Sequence, residues 1–93
     1  MNDAVSREVE LEKMLMDIEF RTEDALREYR KKHDLTHYSF KDAAIRADVD
    51  VRQIYRIRRS NNPTLKSLVS LSDILDVELR WLLFGDQTIE VKE

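Results

Sequence analysis

An all-α fold is predicted by three features of this sequence. Lys, Arg, Asp and Glu make up 38% of the chain against one glycine and one proline, a charged, breaker-poor composition that suits helices rather than turn-rich β-structure. Apolar residues recur at helical spacing in several stretches. Residues that cap helices well stand in front of those stretches. Ninety-three residues suffice for one compact core and not for two.

No glycine or proline interrupts residues 1–62, so boundaries there rest on caps and periodicity. Residues 5–20 carry Val5, Val9, Leu11, Met14, Leu15, Met16, Ile18 and Phe20, too many apolar groups for one narrow stripe. Some of them are expected to meet a partner surface. Thr22, followed by Glu23 and Asp24, reads as an N-cap with acids in the first turn, where they complement the helix dipole. That opens a helix to about Lys32, with one continuous helix as the alternative. Ser39 caps the next helix, on which Phe40, Ala43, Ala44 and Ala47 share a face. Asp48 takes the left-handed conformation of a tight turn, and Asp50 with Gln53 reads as a variant capping box for a third helix. Asn62-Pro63 signals the start of a fourth, because asparagine caps well and proline in the first turn loses no hydrogen bond. Leu65, Leu68, Val69, Leu71, Ile74 and Leu75 supply its apolar side. A last short helix, about Leu79 to Phe84, stops at Gly85. Trp81 within it belongs to the core.

Charge is unevenly spread. The net charge is -3, yet the segments 1–28, 29–40, 41–66 and 67–93 carry -5, +2, +4 and -4. A basic face is thus set between acidic ends, which suits phosphate binding better than the total suggests. With no cysteine, no apolar run long enough to span a membrane and no secretory leader, the expected setting is soluble, reducing and cytoplasmic. There is no phosphate-binding glycine loop and no nucleophile with a positioned base, so an enzyme is not expected. His33, Asp34 and His37 have partial metal-ligand spacing but run into a loop without a further ligand. No metal or cofactor is expected.

The helix from Asp50 to Arg59 carries the functional signal. At 100° per residue Ile54 and Ile57 mark its buried side; Arg52 and Arg59 lie opposite, flanked by Tyr55 and Arg56, with Val51 and Arg58 at the margins. Between Val51 and Leu65 there is no acid, so the four arginines are expected to find their counter-charge outside the protein. An apolar back with an arginine-rich front suits the DNA major groove, where guanine O6 and N7 accept a bidentate guanidinium.

The stretch Leu26-Arg-Glu-Tyr-Arg-Lys-Lys-His-Asp-Leu-Thr36 resembles the first helix and exit of the lambda-repressor-like helix-turn-helix family, also called the xenobiotic-response-element type. Residues 40–49 resemble its second helix and 50–59 its recognition helix. Asn62-Pro-Thr-Leu-Lys-Ser-Leu, and Leu-Asp-Val-Glu-Leu-Arg-Trp-Leu-Leu at 75–83, resemble its fourth and fifth. The resemblance implies a five-helix domain over residues 22–86 that binds double-stranded DNA, usually as a homodimer on a palindrome. It further implies base contacts from Val51, Arg52, Tyr55 and Arg56, and backbone contacts from Ser39, Lys41, Arg58, Arg59, Asn61, Asn62, Thr64 and Lys66.

Three departures stand out. Phe40 occupies a position where the family often has glutamine. Arg30 falls where the family commonly pairs an arginine with a glutamate late in the recognition helix, but that partner position is Arg58. The pair is expected to be lost and Arg58 to turn to DNA. Residues 36–39 lengthen the first connection. Outside the resemblance lie a C-terminal tail, 87–93, and an N-terminal extension, 1–21. The extension reads equally as a helix packed on its own core or as a dimerisation or partner-docking element acting through residues 5–20. The functional expectation is a sequence-specific transcriptional regulator, a repressor, that inserts the helix 50–59 into the major groove of a palindromic operator; the alternative is a protein-interaction module, such as an antirepressor or antitoxin, on the same scaffold.

Overall fold

The structure, a computed structural model, describes residues 3–85, with side chains from Ser6 onward. Val5, and the tail with Ile89 and Val91, lie outside the described side chains. Five helices follow one another: α1 (Asp3–Lys32), α2 (Phe40–Ala47), α3 (Val51–Arg59), α4 (Leu65–Leu75) and α5 (Leu79–Phe84). Among the described residues there is no strand.

The first helix runs unbroken through Thr22, which is not an N-cap. Thr22 is fully buried, and its hydroxyl donates to the Glu19 carbonyl at 2.6 Å. With no glycine or proline nearby, that bond satisfies the hydroxyl inside the helix and leaves the backbone ladder intact. Thirty residues at 1.5 Å each make α1 about 45 Å long, close to the 50 Å long axis of the molecule. Only its C-terminal half is well covered: Ile18, Thr22 and Ala25 are buried, with Leu26 and Tyr29 packed beside them. Val9, Met16 and Phe20 fall on the opposite side by helical spacing and are 60%, 55% and 58% exposed.

Three helices end in the same way. Asp34, Asp48 and Asp76 follow α1, α2 and α4 with φ of 55°, 61° and 61°. Beyond each, the amide of Leu35, Val49 or Val77 donates to a carbonyl five residues back, of Arg30, Ala44 or Ser72, at 2.9 to 3.0 Å. This is the Schellman closure, with aspartate where glycine is usual and an apolar residue next. The expected αL conformation of Asp48 is therefore one of three. Gly85, by contrast, is required: its φ is 87°, and a Cβ there would stand 3.2 Å from the Arg21 guanidinium. Arg21 donates to the Leu82 and Leu83 carbonyls at 3.0 Å each, satisfying the exposed end of α5 and tying it to α1.

At the helix starts, Ser39 forms a full capping box with Asp42. Asp50 caps α3, but the expected box does not form, because the Gln53 side chain reaches across to Ser70 at 3.4 Å. The fourth helix begins two residues later than Asn62-Pro63 predicts. Thr64 is its cap, accepting from the Ser67 amide at 3.0 Å, so Pro63 stays in the loop. Ala43, Ala44, Ile54, Leu71, Leu75 and Leu82 form the centre of the core. The small side chains at 43 and 44 let α2 approach its neighbours closely. Trp81 packs at the core edge as expected, whereas Leu65 and Val69 are exposed.

Candidate nucleic-acid interface

Asp48, Val49 and Asp50 make the turn from α2 to α3, and Ile54, fully buried, fixes how α3 lies on the core. With Ile54 and Ile57 turned inward, Arg52, Tyr55, Arg56 and Arg59, spaced i, i+3, i+4 and i+7, share the exposed side. Val51 is half-buried at the margin. The Tyr55 ring meets the edge of Phe40 at 5.8 Å, and the Arg59 guanidinium lies 5.7 Å from the Tyr55 ring centre. These contacts stiffen the centre of the face.

Two of the four arginines have counter-charges within the protein, against expectation. Arg52 grips Asp50 side-on, with Nη2 to Oδ2 at 2.6 Å. These hydrogen bonds hold the Asp50 carboxyl at about 2, below the usual carboxylate range, and push the Arg52 guanidinium up. Among the described residues Arg56 and Arg59 form no ion pair.

Arg58 points into the protein, and the pair that was expected to be lost is formed with other partners. Its side chain is 5% exposed; Nε donates to Thr22 Oγ1 at 2.7 Å and Nη2 to Glu23 at 2.9 Å, with Glu19 3.7 Å away. The guanidinium lies 4.4 Å from the Phe40 ring centre. Phe40, itself buried, thus shelters the charge. The pair linking the first helix to the recognition helix is kept with its signs exchanged and its acid at Glu23. Arg30 instead reaches the Tyr38 carbonyl at 3.5 Å.

Ser39 is also engaged within the protein. Its amide and hydroxyl both bond Asp42, whose carboxylate is lowered chiefly by the Ser39 amide and sits where an anion would otherwise approach α2. The start of α4 differs: its first turn has no acid, and Thr64 and Lys66 are exposed. A cleft of about 470 Å³ separates it from α3, with Gln53, Arg56, Asn62, Thr64 and Lys66 on its walls. Lys41, Asn61 and Asn62 are also exposed. The His33 ring lies tilted against Tyr29, 4.1 Å between centres, and His37 lies 3.9 Å from Asp42. Among the described residues no group of His, Asp and Glu is placed to hold a metal.

A short turn between two helices, the second anchored by one buried face and exposing a basic one, defines a helix-turn-helix DNA-binding domain. The helix-turn-helix family matches residues 26–82. The chain belongs to that family, in its lambda-repressor-like, xenobiotic-response-element form. No curated protein and no solved structure matches the chain. No helix among the described residues is long and apolar enough to cross a membrane.

Proposed function

We propose that this chain is a sequence-specific transcriptional regulator, a cytoplasmic repressor of bacterial or phage type, that lays α3 in the major groove of a short palindromic operator as a homodimer. The observation that carries this is the exposed face of Arg52, Tyr55, Arg56 and Arg59, on which Arg56 and Arg59 form no ion pair among the described residues. Val51, Arg52, Tyr55 and Arg56 are the base-reading residues in this proposal. Lys41, Arg59, Asn61, Asn62, Thr64 and Lys66 meet phosphates, aided by the outward-pointing amides at the start of α4. No metal, cofactor or catalytic step takes part.

Selection of duplexes from a randomised pool tests the proposal. A palindrome bound about a thousandfold more tightly than a scrambled control, with steep weakening in salt, is the expected result. Failure to enrich any sequence overturns it. A second reading is favoured by Val9, Met16 and Phe20, the exposed apolar residues of α1. In it the scaffold is an interaction module, an antirepressor or antitoxin, that grips another protein through residues 5–20. Arg52→Ala with Arg56→Ala separates the two: operator binding is lost under the first reading, and partner binding is untouched under the second.

A further inference from the structure

Asp50 does more than cap α3. Its carboxylate accepts the Arg52 amide at 2.9 Å and is also gripped by the Arg52 guanidinium, Nε to Oδ1 and Oδ2 at 3.1 Å each and Nη2 to Oδ2 at 2.6 Å. This side-on engagement uses the Nε hydrogen and one Nη2 hydrogen. Of arginine's five N–H donors, the two on Nη1 and the outer one on Nη2 remain. The Nη1–Nη2 edge is the fork whose donors match guanine O6 and N7. Arg52 is 84% exposed and shares its face with Arg56 and Arg59, so this edge is open to a ligand.

An unrestrained arginine must freeze its side-chain torsions when it meets a base, whereas a guanidinium already held by a carboxylate has frozen most of them. The carboxylate also repels phosphate, which discourages the sequence-blind backbone contact that an isolated arginine readily makes. We infer that Asp50 is a specificity-determining positioning residue, holding the free fork of Arg52 toward one guanine in the major groove. The inference rests on the DNA-binding reading above and adds to it a base identity and the residue that enforces it.

The test separates the cap from the positioning. Serine caps about as well as aspartate, so Asp50→Ser keeps α3 while removing the carboxylate. The probes are the duplex that the wild-type chain selects from a randomised pool, each of its single-base-pair variants, and a scrambled duplex. Arg52→Ala first locates the base pair it reads, as the one where discrimination disappears. That pair is expected to be G·C, with the wild type preferring it about tenfold or more. Asp50→Ser keeps the cap but loses the pairing with Arg52, so it is expected to stay folded while unfolding somewhat below the wild type, and to bind the scrambled duplex at least as tightly. It loses selectivity at that pair alone, to within about threefold. Asp50→Asn supplies the same comparison should the serine variant fail to fold. Wild-type selectivity at that pair in either folded variant overturns the inference, as does a pair other than G·C. If the wild type enriches no duplex, the DNA-binding reading falls and the inference with it.

Discussion

Replacing Arg58 by alanine distinguishes an arginine that holds the fold from one that holds DNA. The side chain makes one buried bond to Thr22 and one to Glu23, and stacks on Phe40. A hydrogen bond involving a charged group contributes about 1.5–3 kcal/mol, and a sheltered cation–π contact up to about 2 kcal/mol. Glu19 and Glu23 keep 41% and 54% of their side-chain exposure, so neither is stranded as a dry charge once Arg58 is gone. The loss therefore falls at or below the roughly 3–5 kcal/mol of a fully buried broken pair. We expect about 2–4 kcal/mol, read from urea unfolding followed by circular dichroism. Thr22→Val removes the acceptor at constant shape and should cost about 1–2 kcal/mol. The double variant should cost less than the sum, because both changes break one bond. In duplex titrations on the folded variant, the salt dependence of binding should match the wild type. If Arg58→Ala keeps stability within about 0.5 kcal/mol and lowers the salt slope by about one unit, the buried-pair account is wrong and Arg58 is a phosphate contact.

Asp50 gives a pH dependence of known sign. Its folded pKa is depressed to about 2, so its contribution to stability is complete above the ordinary carboxylate pKa and is lost as pH falls through about 2. A carboxyl resonance of Asp50 that titrates at the ordinary value instead would contradict the side-on pair. Asp76→Gly should stabilise the chain by about 0.5–1 kcal/mol in thermal unfolding, since φ there is 61° and glycine adopts that region without strain; a destabilised variant would mean that the aspartate side chain contributes to the closure. Val9→Ser, Met16→Ser and Phe20→Ser together should leave the helical fold of the protomer intact by circular dichroism but weaken self-association in sedimentation, and unaltered dimers would exclude this side of α1 as the dimer contact.

What could be read from the sequence was local. The Ser39 cap, the Phe40–Ala47 face, the turn at Asp48 and the stop at Gly85 each depend on residues within a few positions of one another, and each is found. The misread starts have the same origin: Thr22 and Asn62 are good caps in isolation. Which candidate is used depends on burial at Thr22 and on the bond from Ser67 to Thr64. The partners of Arg58 were hidden because Thr22 and Glu23 lie 36 and 35 residues away, and no window along the chain joins them. One signal was available. An arginine where the family places an acid, with acids at 19 and 23 on an earlier helix, is the pattern of an exchanged pair. Asp50 was read only as a cap, although an acid two residues before an arginine could have suggested the second role. The spacing of Asp34, Asp48 and Asp76, each followed by Leu or Val, was likewise legible as three helix closures.

The internal pairs also limit how many charges each protomer brings to DNA. Arg58 is committed to α1 and Arg52 is partly neutralised by Asp50, leaving Lys41, Arg56, Arg59 and Lys66 as the exposed cations of this face. Each phosphate neutralised on duplex DNA contributes about -0.9 to the slope of log affinity against log salt. With Lys41, Arg59 and Lys66 on phosphates a homodimer therefore reaches a slope of about -5.4, or about -7 if Arg56 meets a phosphate as well as a base, and a monomer about -3.6 at most. If Arg52 and Arg58 also left their carboxylates for phosphates, the dimer would approach about -11. A titration between low and moderate salt thus reads two things at once. A slope between about -4 and -7 supports two protomers with the internal pairs intact, and one steeper than about -9 would mean that binding pulls the arginines from Asp50 and Glu23.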